Sequence, residues 1–413
     1  MKTLYATGWA CALLALISTV SAGDWPQWRG PDRTDVSTET GLLKSWPEGG
    51  PKQLWVYKEA GLGYSGVAVV EGIIYTMGAR EDEEYLIAVS VSDGAEKWAV
   101  PMGGGLENKW GNGPRGTPTV QDGMVYALGG TGVLVCAEAG TGRIVWKKEM
   151  SDFGGKRPNW GFCESVLVDG DKVVCTPGGD KGALLALDKK TGETLWQSSD
   201  FQDGAQYASI LPIEFGGQRQ LVQLTMKTLV GVNPETGSIL WKSEWPGQTA
   251  VIPTPIYKDG YVYITSGYGV GCKLVKLAAG ADPTDVYVNK NMKNHHGGVV
   301  LVGDHLYGYS DGVGWLCQDF LTGEIVWNDR EALGKGCITY AEGKLYLVDE
   351  RDGTVVLIDA SPEGWKEHGR FTLSPQTEQR SPSGRIWTHP VVSNGRLYLR
   401  DQELLLSYDI QAQ

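Results

Sequence analysis

Six ionisable residues stand out for the chemistry they could do together: Arg115, Glu164, His295, His296, Lys335 and His389. Three of them are among only five histidines in the 413-residue chain. Histidine titrates nearest neutrality, so His296 or His389 could act as a general base, with Glu164 fixing its tautomer and raising its basicity. Arg115 or Lys335 would then steady developing negative charge. Nearby short leads add aromatic faces: Lys109-Trp110-Gly111, Asn159-Trp160-Gly161 and Gln206-Tyr207. Trp110, Trp160 and Tyr207 beside those six groups suit a small polar ligand such as a sugar, which stacks and hydrogen-bonds. Catalysis demands more than binding does, because Glu164 and the histidines must then stand within hydrogen-bond reach of one another.

Other chemistries find less support. His295 and His296 are adjacent, so on one strand they would point to opposite faces and could not easily share an ion. No metal site is expected. The chain has no G-x-S-x-G, P-loop, H-E-x-x-H or glycine-rich nucleotide fingerprint in a suitable context.

What must position these residues is a repeat. An eleven-residue phrase with a small first residue, Gly at position seven and Trp at position eleven occurs five times. The copies run Ala88 to Trp98, Cys136 to Trp146, Ala186 to Trp196, Gly231 to Trp241 and Cys317 to Trp327. Their tryptophans lie 48, 50, 45 and 86 residues apart, the last gap being two periods with one copy degraded. A period of this size means an array of one supersecondary unit. Short β-branched runs with a turn about every ten residues precede each phrase, which gives four antiparallel strands per unit, a propeller blade. Units begin near Val67, Thr119, Val166, Ile210, Ile256, Val299, Ile338 and Val391, and nothing between them shows a helical period.

The expected fold is therefore all-β, an eight-bladed propeller over residues 53–413. The last unit lacks its Trp-bearing strand after Leu404 to Ile410, and Gln53 to Tyr57 can supply it. Sharing one blade between the two termini closes the ring and removes open sheet edges. Aligned on the glycine of the following turn, the first strands begin at equivalent places. Six residues before that glycine stand Gly66, Thr117, Glu164, Thr254, Gly297, Cys337 and His389. Eight before it stand Tyr64, Arg115, Phe162, Ile252, His295, Lys335 and Trp387. First strands are innermost, so both rows are expected on one face at the mouth of the central channel.

The Gly-and-Trp phrase resembles the tryptophan-docking repeat of the quinoprotein dehydrogenase-like propellers, over essentially the whole chain after residue 22. Asp24 to Pro31 also resembles the leader of a set of exported propellers of that superfamily, mostly of unassigned function. The resemblance implies pyrroloquinoline quinone as a cofactor to consider. Alcohol-oxidising members that bind it typically carry a vicinal Cys-Cys disulfide and carboxylates around calcium. Here no two cysteines are adjacent, so the quinone is disfavoured. The superfamily's outer-membrane assembly propeller implies that the repeat can also serve protein partners.

Residues 1–22 read as a signal peptide cut after Ala22: Lys2, an apolar stretch from Trp9 to Val20, then Val20-Ser21-Ala22. The protein is expected in the periplasm or outside the cell, with no transmembrane anchor. Residues 23–52, rich in Pro and Trp, are expected to pack on the ring. A formal net charge of −12 argues against nucleic acid as partner. Of seven cysteines six follow the signal peptide, with no C-x-x-C, and read as buried thiols. The leading functional reading is an exported scaffold that holds a small polar ligand or an envelope protein at the channel mouth. Its alternative is a periplasmic oxidoreductase or other enzyme acting on a sugar or alcohol, quinone-dependent only through a non-standard site.

Overall fold

The computed structural model describes residues 23–412; the expected signal peptide lies outside them. Eight small sheets form in chain order, and consecutive strands pair antiparallel within each. The first strands of the eight blades begin at Ala68, Thr119, Leu167, Leu211, Ile256, Val299, Gly336 and Val391. Helix is confined, among the described residues, to a short 3-10 turn at Met150–Phe153. Eight buried apolar clusters accompany the eight sheets. Each cluster draws on two neighbouring blades. One joins Tyr75 and Leu86 of the first to Val125 and Val135 of the second. Another joins Val391 and Leu405 of the last to Val69 and Ile87 of the first. The core thus lies in the seams between blades.

The ring closes as the missing strand required. Lys52–Tyr57 pairs antiparallel with Leu404–Asp409, in the register Trp55↔Ser407, Val56↔Leu406 and Tyr57↔Leu405. A buried arginine holds this eighth blade to the first. Arg400 is 2 % exposed, and it donates to the carbonyls of Ser65, Met77, Ala60, Gly61 and Gln402 and to the Thr76 hydroxyl.

The repeated phrase works as an interlock. Each Trp lies across the sheet from the small residue that opens its own phrase: Ala88↔Trp98, Cys136↔Trp146, Ala186↔Trp196, Gly231↔Trp241, Cys317↔Trp327. The indole N–H then reaches the next blade, from Trp98 to Ala139 O at 3.0 Å, Trp146 to Lys189 O at 3.1 Å, Trp196 to Pro234 O at 2.9 Å and Trp327 to Ser361 O at 2.9 Å. Trp55 of the closing strand does the same to Val91 O at 2.9 Å. The phrase glycine has two reasons to be glycine. Its φ is positive (72° at Gly94, 74° at Gly142), and a Cβ on Gly142 would stand 2.7 Å from the preceding blade's Trp98. The degraded copy is Tyr287, whose ring faces Gly323 and whose hydroxyl donates to Phe320 O. Trp241 departs from the pattern, donating instead to Gln220 Oε1 of its own blade.

Residues 23–37 thread the axis of this ring and touch all eight blades. Trp25 exchanges both backbone hydrogen bonds with Val69, and Pro26 O accepts from Val120 N–H. Arg33 donates to Ser165 O and Val166 O of the third blade's lead and to Ile210 O of the fourth. Trp28 Nε1 donates to Thr254 Oγ1 at 3.0 Å, and Arg29 to Val299 O. Val36–Ser37 adds a fifth, parallel strand inside the seventh blade, and Ser393 Oγ donates to Gly23 O in the eighth. Arg29, Arg33 and Asp35 are 2 %, 1 % and 1 % exposed. This segment is a hub, since its polar groups satisfy inner-strand carbonyls that an open channel would leave to water.

Candidate functional site

The leads into the first strands, together with Trp28 and Arg29 of the hub, enclose a cavity of about 350 Å³ at one end of the axis. Five of the six singled-out groups line it: Arg115, His295, His296, Lys335 and His389. So do Trp110, Trp160 and Tyr207. Tyr64, Trp387, Tyr268, Glu350, Arg351 and Arg385 also line it, and the sequence reasoning did not single them out as site residues. Tyr64 and Trp387 occupied the same alignment row as Arg115 and Lys335, which was the available signal.

The aromatic wall is continuous. The rings of His295 and His296 lie 3.7 Å apart, tilted by 31°, His296 stacks on Trp387 at 4.7 Å and 27°, and Trp387 stands 5.0 Å from Tyr64 and 6.4 Å from Trp110. Trp160 and Tyr207 meet edge-on at 5.8 Å. The expectation that His295 and His296 face opposite ways fails because neither is in a strand: the sixth blade's first strand starts at Val299. In the preceding loop the rings turn to the same side. Still, among the described residues no group of three or more His, Cys, Asp or Glu side chains stands close enough to hold a metal ion.

Two of the three cavity histidines are hydrogen-bonded through both ring nitrogens, while the buried Nδ1 of His296 has no hydrogen-bond partner among the described residues. His295 Nδ1 accepts from Lys335 Nζ at 2.9 Å, so its Nε2 carries the proton and faces Tyr268 Oη at 2.7 Å. Lys335 also pairs with Asp311 at 2.7 Å. Burial and the Lys335 ammonium pull His295 down to about 4, and burial followed by the neighbouring His295 charge pulls His296 well below its ordinary value. Both imidazoles are neutral at pH 7. His389 Nε2 donates to His296 O at 2.9 Å while Nδ1 faces Asp35 Oδ2 at 3.1 Å, and Asp35 in turn pairs with Arg29 at 2.7 Å. Both ring nitrogens are occupied by oxygen atoms of the protein, so His389 serves as a tie between hub and cavity.

Glu164 does not reach the cavity. It is 2 % exposed, accepting from Thr176 N–H at 2.6 Å and Thr176 Oγ1 at 3.0 Å, with Gln223 at 3.4 Å. It therefore orients no histidine. Burial pushes its carboxyl up to about 7, against an ordinary 4.5. A carboxyl whose folded value is raised stabilises the fold fully below its unfolded value and loses that contribution as pH rises through the folded one. Between pH 5 and 7, urea unfolding of the parent protein should therefore lose stability relative to Glu164→Gln, at no more than about 1.4 kcal/mol per pH unit. Parallel curves for the two proteins would show that this carboxyl is not buried as described.

Charge in the cavity is lopsided. Arg115 donates to Gly113 O and Gly111 O and lies over the Tyr64 ring at 5.2 Å, with no carboxylate at ion-pair distance among the described residues. Glu350 is the one carboxylate in the lining, and it accepts from Trp387 Nε1 at 2.9 Å. Cys163 is the one thiol there, and burial pushes it up to about 12. All six cysteines of the described chain are free thiols. One engaged carboxylate and no cysteine pair do not fit the calcium, quinone and vicinal-disulfide donor set implied by the dehydrogenase resemblance.

Known proteins bear on the scaffold. A Shewanella oneidensis protein named outer membrane protein assembly factor BamB is 23% identical over 345 residues, 73% of this chain and 85% of that protein. Other curated relatives with that name match over only 84 residues, about 18% of their own length. Among solved structures, BamB from Moraxella catarrhalis superimposes with a TM-score of 0.64 at 17% identity, covering 88% of this chain and 98% of that one. Quinohemoprotein alcohol dehydrogenase from Comamonas testosteroni gives 0.63 at 12% identity, covering 95% and 81%. At those identities the structures speak for the fold alone. Residues 82–329, more than half of the chain, match the family described as outer membrane protein assembly factor BamB, and the protein belongs to that family of quinoprotein-type repeat propellers.

Proposed function

We propose that this protein is an exported binding propeller that receives a small polar, sugar-like ligand in the cavity at the channel mouth. The observation that carries the reading is the closed floor. Trp28 and Arg29 of the hub turn what would be a through-channel into a dead-ended cup with aromatic walls, the form of small-molecule sites. Catalysis is the weaker reading, because Glu164 is spent elsewhere, His295 and His389 are tied at both ring nitrogens, and His296, whose Nδ1 is unpartnered, has no carboxylate to orient it and is held well below its ordinary value by burial.

The test is a saccharide and metabolite panel read by intrinsic tryptophan fluorescence. A ligand should quench the parent, and Trp387→Ala should weaken it about tenfold, or ~1.4 kcal/mol, with unchanged circular dichroism. Ligands that bind Trp387→Ala as tightly as the parent would place the site elsewhere.

A second reading, a protein partner, is favoured by one surface. Val286 and Val288 on the outer strand of the fifth blade and Leu321, Ile325 and Val326 on the sixth are exposed, Val288 to 60 %. The Shewanella and Moraxella relatives bear the name of an assembly factor, and an apolar outer edge suits such a role. Pull-down with envelope extract, comparing the parent with Val288→Lys, distinguishes the two surfaces.

A further inference from the structure

We infer that the ligand of the channel-mouth cavity is an acidic sugar, its ring on the aromatic wall and its carboxylate or sulfate on Arg351 and Arg385. This rests on the reading of the cavity as a small-ligand site and names the chemical class.

The chain carries 49 acidic residues against 37 lysines and arginines, yet the cavity inverts that balance. Five cationic side chains line it against one carboxylate. Two of the five are neutralised locally, Arg29 by Asp35 and Lys335 by Asp311. Arg115, Arg351 and Arg385 have no carboxylate at ion-pair distance among the described residues. Arg385 spends one nitrogen on the carbonyls of Gly384 and Pro382. Arg351 is exposed, and no side-chain bond of its own is recorded among the described residues.

Three guanidinium groups gathered on one concave surface repel one another. An acidic protein has carboxylates to spare for them, so the absence of a carboxylate at ion-pair distance from any of the three, among the described residues, points to a counter-charge brought by the ligand. The guanidinium fork matches the paired oxygens of a carboxylate or sulfate, and the match is worth most where walls exclude water. A shallow cleft lined by Arg351, Arg380, Ser381, Pro382, Gly384 and Arg385 shares Arg351 and Arg385 with the cavity. Arg380 there is paired with Asp401 at 2.5 Å. That cleft gives a longer acidic chain somewhere to continue beyond the first ring.

Aromatic faces decide between sugars and simple anions. Trp387, Trp110 and Trp160 offer flat apolar surface that inorganic sulfate or phosphate would leave uncovered. Tyr268 Oη and the Thr254 hydroxyl stand in the same lining to meet ring hydroxyls.

The experiment is isothermal titration calorimetry of the purified protein with glucuronate, glucose 6-sulfate, glucose, sodium sulfate and a planar aromatic dicarboxylate. At low salt, glucuronate or glucose 6-sulfate should bind at least tenfold more tightly than glucose. The advantage should shrink as sodium chloride is raised from 50 to 500 mM, and Arg351→Ala and Arg385→Ala should each remove most of it. Both positions lie in loops at the rim, and urea unfolding checks that the variants are folded. Equal binding of glucose and glucuronate would overturn the inference and leave the small-ligand reading standing. Binding of sulfate or of the aromatic dicarboxylate in preference to any sugar would overturn the sugar assignment. If no compound binds at all, the small-ligand reading fails and this inference fails with it.

Discussion

Arg33→Met should lower the stability of the ring by several kcal/mol, since each buried carbonyl left without its donor costs about 1–3 kcal/mol. Arg33 Nη1 donates to Ser165 O at 3.0 Å and Ile210 O at 2.9 Å, Nη2 to Val166 O at 2.5 Å and Nε to Gln27 Oε1 at 2.9 Å. Methionine fills much of the same space but donates nothing, so inner-strand carbonyls at the axis lose their charged donor. Burial pulls the guanidinium down to about 10 while the Glu164 carboxylate pulls the other way, so Arg33 stays charged at neutral pH. The hub should loosen with the ring, because Arg33 is its anchor on the third and fourth blades. Urea unfolding gives the stability, and thermolysin cleavage within residues 23–37 gives the loosening. Arg33→Lys, with a single compact donor, should fall between the two. An unchanged urea midpoint with a protected hub would mean that the leader merely lies in the channel.

The ring itself was legible because its determinants are local and repeated. Small residue, glycine and tryptophan at fixed spacing encode one interlock, and counting interlocks counts blades. The shared last blade was legible too, since a unit without its Trp-bearing strand needs Trp55 from the other end. The path of residues 23–37 was not. Its contacts run from Trp25, Arg29 and Arg33 to single carbonyls on blades far apart in sequence, and they repeat no pattern. Composition pointed to packing on the ring, and neither it nor periodicity carries a signal for threading the axis.

At the mouth, register reasoning succeeded for one row and failed for the other. Eight residues before the turn glycine, Tyr64, Arg115, Ile252, His295, Lys335 and Trp387 all line the cavity, and only Phe162 is turned into the core. Six residues before it, only Thr254 and His389 line the cavity, and Glu164 belongs to the other five. Two residues apart means one face only in an extended strand. At Arg115, Thr117, Phe162 and Glu164 the chain is still loop, since the second blade's first strand begins at Thr119 and the third's at Leu167. The alternation that placed Glu164 beside the histidines was applied to residues that do not alternate. Without Glu164 the catalytic arrangement loses its carboxylate, and the cationic surplus left behind is what points toward an anion.

Trp196→Ala should cost about 3–5 kcal/mol in urea, the range for large aromatic truncations in cores, and its coupling to Gly237 tests why the phrase pairs those two residues. Trp196 is 9 % exposed, lies across from Ala186, and donates from Nε1 to Pro234 O in the next blade. Its indole also closes over Gly237, where φ is 72° and an added Cβ would collide with the ring. Gly237→Ala should therefore be destabilising twice over, through backbone strain of about 1–2 kcal/mol and through overpacking of about 1–3 kcal/mol. In the Trp196→Ala background the overpacking disappears, because the ring that the methyl would strike is gone. The double variant should then be more stable than the sum of the single losses predicts, by about 1–3 kcal/mol, as expected for residues in contact. Strict additivity would mean that glycine is needed at 237 for its backbone alone. The interlock that fixes the spacing of the blades would then have to be sought in another pair.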